Sequence, residues 1–306
     1  MRFPRRPLGA AAPATPAVAQ TKEIDSVRPA SLLVVSLSAL ALIQCAAAVD
    51  TVQRPDVAPA DIAEFGIAQL RLAAQEGDAR AQVELGARYE NGRGVEQDYR
   101  SAVVWFRRAA EQGHAPGQAA LGFLYSTGRG VERNDAVATS WHRRAAEQGN
   151  ARAQNNLGTQ YRNGHGVARD DEEAVRWFRQ AAEQQNGFAQ NNLGEMYRDG
   201  LGVAQDDAEA VRWFRRAAEQ GHDFAQVNLG FMHDRGRGVP QDDTEALGWY
   251  RRAAEQGHVQ AQFNLGVMYL EGRGVPRDFV EAARWYRLAA AQGHAEAQQL
   301  VGDDGR

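Results

Sequence analysis

Acidic pairs such as Asp206–Asp207 and Asp242–Asp243 recur along this chain, and paired carboxylates could serve acid–base catalysis or hold calcium. Histidine recurs too, at His114, His222, His258 and His294, and imidazole is a common metal ligand. The turns "GRG" and "GHG" faintly resemble phosphate-cradling loops. Each has a plainer reading. The acidic pairs stand where helices start, so N-capping and the helix macrodipole explain them. The histidines hold one position in successive units, which stacking spaces about 10 Å apart, whereas a metal needs its ligands about 2 Å from one centre. No lysine follows the glycine turns, and no serine, cysteine or threonine recurs beside a histidine as a nucleophile would. The expectation is no catalytic residue, no metal site and no cofactor.

The histidines keep one position because the chain repeats. "VRWFRRAAEQGH" at 211–222 has near-copies at 103–114, 139–150, 175–186, 247–258 and 283–294, always 36 residues apart. Six units follow, 79–114, 115–150, 151–186, 187–222, 223–258 and 259–294, and none needs an insertion to align. In the fourth, Ala189, Leu193, Met196 and Tyr197 fall at i, i+4, i+7 and i+8, one apolar stripe on a helix. Gly200 and Gly202 end that helix. A second helix starts at Asp206, with Glu209 three residues on as a capping box, and buries Ala210, Trp213, Ala217 and Ala218. The Asp/Glu pair returns at Asp170/Glu173, Asp242/Glu245 and Asp278/Glu281, while Asn134 lacks its acidic partner. Each unit is thus predicted to be a hairpin of two ~13-residue helices, ~20 Å long, and hairpins must stack to cover their stripes.

Glycine inside the first helices, at Gly86, Gly122, Gly158, Gly194, Gly230 and Gly266, costs ~1 kcal/mol against alanine. Its recurrence implies close approach of a bulky partner. The six tryptophans, Trp105, Trp141, Trp177, Trp213, Trp249 and Trp285, are the expected partners, all in the core.

The pattern "LGxxYxxGxGV…D…A…W…RAAEQGH" resembles the Sel-one-like repeat, a relative of the tetratricopeptide repeat, over the whole of 79–294. The resemblance implies an all-α fold, a right-handed α-solenoid of six helix-turn-helix repeats acting as a scaffold or adaptor. His233 departs from the usual Tyr, and Gln185–Asn186 from Gly–His. Cysteine-rich relatives linked to β-lactam hydrolysis carry paired cysteines in every unit. This chain has a single cysteine, Cys45, so that activity is not carried over. Half-units at 61–78 and 295–306 read as end caps.

The same resemblance puts the first helices on the concave side, where outward positions face a groove. Positions that repetition does not dictate are the informative ones there. Phe188, Phe224, Val227, Phe231, Phe263, Val267 and Leu270 form a candidate partner-binding patch in the later units. Arg80, Arg152, Asn155 and Thr159 occupy the earlier units, with Phe123 as an outlier. Asn228 and Asn264, from a series with Asn156 and Asn192, are candidate clamps on a peptide backbone, or else bond locally within their hairpins. The expected partner is a protein or peptide, bound by a monomer. A self-associating rod or envelope spacer is the alternative.

Ahead of the repeats lies a leader, 1–48, then a Pro-containing linker, 49–60. Residues 1–30 are basic and unpatterned. "SLLVVSLSALALI" at 31–43 has the length of a signal-peptide core, with Ala46 and Ala48 before Val49. Cleavage near Ala48 and export to the periplasm or exterior is the reading adopted. An uncleaved anchor or lipidation at Cys45 stay open, and only through them would the chain touch a membrane. Without the five basic and two acidic residues of the leader, net charge falls from −4 to −7. So acidic a body gives no reason to expect nucleic acid.

Overall fold

The computed structural model describes residues 65–302. The leader with Cys45, the 49–60 linker, residues 61–64 of the amino-terminal cap, and 303–306 lie outside the described residues. Among the described residues there are helices and no strands. The first hairpin is α2 (Ala79–Asn91) and α3 (Tyr99–Glu111), preceded by α1 (Ile67–Gln75). Then come α4 (Ala115–Thr127) with α5 (Asp135–Glu147), and α6 (Ala151–Asn163) with α7 (Asp171–Glu183). The later hairpins are α8 (Gly187–Asp199) with α9 (Asp207–Glu219), α10 (Asp223–Arg235) with α11 (Asp243–Glu255), and α12 (Val259–Glu271) with α13 (Phe279–Ala291). A last helix, α14 (Ala295–Gly302), follows. Each helix packs on the next in sequence, giving an all-α solenoid.

Helix starts are set by side chains. Asp206 accepts the Glu209 N–H at 2.9 Å, and Asp170, Asp242 and Asp278 do the same in their units. Asn134 caps α5 without an acidic partner, accepting from Val137. Only half of the capping box forms: Glu173, Glu209 and Glu281 turn away from the caps and pair with Arg176, Arg212 and Arg284. His222 and His258 cap α10 and α12 through Nδ1, each 3.4 Å from a backbone N–H.

The glycine notches are filled, but not by tryptophan. A Cβ on Gly194 would lie 2.6 Å from the Phe214 ring, and Phe106, His142, Phe178, Tyr250 and Tyr286 fill the corresponding notches. These are the residues after each Trp. Neighbouring helix residues point about 100° apart, so the two rings serve different contacts. Phe214 closes its own hairpin. Trp213 instead joins a cluster with Ala174 and Phe178 of α7 and Leu193 of α8, fastening one hairpin to the previous one. Trp249 and Trp285 repeat this role. Trp105 and Trp141 are only partly buried, contrary to the expected six core tryptophans. Trp105 packs toward α1, which has 9 residues where other second helices have 13.

A second fastening is polar. Gln226, 3% exposed, donates to the Ala218 carbonyl at 3.2 Å and accepts from Gln256 at 2.8 Å. Gln82, Gln118, Gln154, Gln190 and Gln262 make the same pair of bonds in their units.

Candidate functional site

On the first-helix side of the last hairpins lies a cavity of about 570 Å³ between α10 and α12, reaching the end of α8. Val227 and Phe231 on α10, with Phe263 and Val267 on α12, supply its apolar surface. Asn228 and Asn264 stand beside them. All six were expected from the sequence. They come together because repeat positions 5, 6 and 9 of adjacent first helices face one another across the stack.

Three expected residues do not line it. Phe224 belongs to an adjoining cavity of about 410 Å³ with His258 and His294. Phe188 lies edge-on to His222, ring centroids 4.5 Å apart, and is 64% exposed. Leu270 is exposed and lines neither cavity. The helix turns these positions toward the rims of α8, α10 and α12, away from the floor. The aromatics of the floor are not free in solvent either. Phe231 packs on the cluster holding Trp249, and Phe263 stacks on His294 at 4.3 Å.

The asparagines are largely engaged already. Asn228 accepts from Arg198 at 3.0 Å and donates to Asn191 at 2.9 Å, while the Asn264 oxygen accepts from Gln260 at 2.9 Å. Half-buried amides find partners within the protein, and here the bond reaches across units: Asn192 likewise donates to Asn155.

The ionic rim was not anticipated. Arg198, Asp199, Asp234, Arg235, Arg237 and Arg273 surround one end of the cavity. Asp199 takes both nitrogens of Arg198, at 2.7 and 2.8 Å, and that bonding holds its carboxyl below the usual carboxylate range. Asp207 grips Arg237 in the same two-point way. Asp234 is buried and pairs with Arg273. A signal was present: the position that holds Arg162 and Arg198 in earlier units turns to Asp234 here.

In the second and third units the same face holds a smaller cavity of about 280 Å³, with Phe123, Asn156, Thr159 and Gln160. His142 takes the place of an aromatic ring there. Its Nδ1 is 3.2 Å from Gln160 Oε1 and its Nε2 3.3 Å from Asn156 Nδ2, so the amides select the Nδ1–H tautomer. Burial pushes its pKa down to about 4. Burial also lowers His114, His222 and His258. Among the described residues, no cluster of His, Cys, Asp and Glu could hold a metal ion, and no helix is long and apolar enough to cross a membrane.

Comparison with known proteins agrees with this architecture. The Sel1 repeat model matches residues 79–114, 115–150, 151–186, 187–222, 223–258 and 259–294. The structure of a protective antigen from uropathogenic Escherichia coli, displaying the same repeat fold, is 41% identical over 78% of this chain, with a TM-score of 0.70. This chain spans about half of that protein, 51%. A Sel1 repeat protein from Oxalobacter formigenes is 36% identical, covering 76% of this chain and 68% of its own, with a TM-score of 0.68. An immunity protein from Pseudomonas aeruginosa, at 20% identity over 72% of this chain and 86% of its own (TM-score 0.50), shares the fold alone. No curated protein matches the chain. With six matched repeats, the chain belongs to the Sel1 repeat family.

Proposed function

We propose that this chain is an exported, non-catalytic scaffold whose groove between α10 and α12 holds a segment of a partner protein. Sel1 repeats are generally protein–protein interaction scaffolds. The observation that carries the reading for this chain is the cavity of about 570 Å³ with Phe231 and Phe263 in its lining and an ionic rim at one end. Apolar surface gives a guest affinity, and the paired charges give it orientation. Each flanking helix is paired within its own hairpin, with the α8–α9 hairpin packed on one side and α14 on the other, so the surface is preformed and little ordering cost falls on the scaffold. Export rests on the apolar run at 31–43 and the small residues at Ala46 and Ala48.

The test is capture by the immobilised full chain, identification of the captured protein, and binding of its purified form to the parent and two variants. Phe231→Ala is expected to weaken that binding about tenfold or more, with helical circular dichroism retained. Phe279→Ser, on an exposed residue away from the groove, is expected to bind as the parent does. Equal binding by all three would remove the groove from the reading. Intact mass of the protein recovered from its native host tests export, with loss of the first 48 residues as the expected result.

A further inference from the structure

The groove differs at its two ends. From Phe224, near the start of α10, to Arg235 at its end is eleven residues, about 16 Å of helix. The starting end is aromatic: Phe224 lies edge-on to His258 at 4.7 Å, and Phe263 stacks on His294. Gln260 lines both the groove and the cavity beside Phe224, so the two run together.

The far end is ionic and rich in arginine. Four arginines and two aspartates line the cavity, in a chain that is acidic as a whole. Three of the four are firmly held: Arg198 by Asp199, Arg237 by Asp207, and Arg273 by Asp234 and Glu271. Arg235 is not. Its side chain is 65% exposed and reaches only Asp234, at 3.5 Å, beyond good hydrogen-bonding distance. Asp234 is already engaged by Arg273. An exposed guanidinium with a weak internal partner, at the mouth of an apolar groove, is a ready receiver for a carboxylate.

We propose that the groove takes an extended segment with a bulky apolar side chain at one end and a carboxylate about five residues away, the apolar group against Phe224 and Phe263 and the carboxylate on Arg235. The spacing follows from the groove: about 16 Å of helix spans about five residues of extended chain at ~3.3 Å each. This inference rests on the groove reading above and adds polarity and charge to it.

Fluorescence anisotropy of the full chain with rhodamine-labelled, end-blocked decapeptides tests it. Each peptide carries adjacent Phe and Val in a Ser/Gly background, with one Glu placed two, five or eight residues away. Two further peptides carry Gln or Lys at the five-residue spacing. The five-residue Glu peptide is expected to bind at least threefold tighter than the others, the advantage shrinking as salt screens the pair. Arg235→Glu is expected to reverse the ranking in favour of Lys. Equal affinity for Glu, Gln and Lys, a ranking unchanged by Arg235→Glu, or binding by no peptide would overturn the proposal. A Glu preference indifferent to spacing would overturn its geometry. Phe231→Ala separates the two readings. If it abolishes binding of peptides that show no charge preference, the groove stands and the carboxylate falls. If it binds every peptide as the parent does, the groove itself falls.

Discussion

The ring of Phe214 lies 2.6 Å from where a side-chain carbon on Gly194 would stand, inside a fully buried contact between the two helices of one hairpin. Adding that carbon gains about 1 kcal/mol of helix propensity but forces the ring to move, at about 1–3 kcal/mol. Gly194→Ala is therefore expected to lower stability by about 1 kcal/mol in urea melts. Gly248→Ala, in a helix with open space around the glycine, is expected to raise it by about 0.5–1 kcal/mol.

The buried glutamines tie each unit to the one before through an alanine carbonyl, and close their own hairpin through a second glutamine. Gln226→Leu removes the bonds to Ala218 and Gln256, with an expected loss of about 1–2 kcal/mol. Hydrogen exchange should show faster opening where α9 meets α10, and little change at α2. Uniform acceleration along the array would count against a local tie.

Gln185 has φ +63°, the one described non-glycine residue in the left-handed region, where other units place glycines such as Gly221 and Gly257. Holding a side chain there costs about 1 kcal/mol. Gln185→Gly is expected to raise the melting temperature by about 2–4 °C.

His142 gives the fold an acid limb. The unfolded chain takes up a proton on this imidazole near 6.5, whereas the folded chain resists until about 4. Its contribution is therefore whole above pH 6.5 and is lost as pH falls toward 4, at about 1.4 kcal/mol per pH unit. The lowered His114, His222 and His258 act in the same direction. Stability measured from pH 7 to pH 4 should fall steeply, and His142→Phe should flatten much of that slope. An unchanged slope would show that His142 is not the group that titrates.

Much of this fold was legible because its signals are local and recur. Asp206 capping α9 and Gly200 ending α8 each act within one turn of helix, so their spacing alone places the boundaries. Pairing was harder. Trp213 and Phe214 are adjacent, both aromatic and both buried, and nothing in the sequence says which meets Gly194. The Gln226–Gln256 bond spans 30 residues and forms only once α10 and α11 close their hairpin, and the bond from Gln226 to the Ala218 carbonyl forms only once hairpins stack. Asking which positions break the repetition brought out Phe231 and Phe263, which line the cavity between α10 and α12. The same question put to charge would have shown Asp234. The asparagines were left between two readings, because a repeated amide carries no sign in the sequence of the partner that a neighbouring unit supplies, as Asn191 does for Asn228.

In the stacked array, the second turn glycine of one unit sits directly on the opening backbone of the second helix in the unit before, as Gly238 does on Asp207 and Gly274 on Asp243. A side chain at that point would strike a carbonyl, so each seat fixes the register of the whole hairpin above it. One residue added within a hairpin would unseat everything that follows. A block of 36 residues added or removed leaves every seat intact, so an array of this kind can lengthen or shorten only in whole quanta.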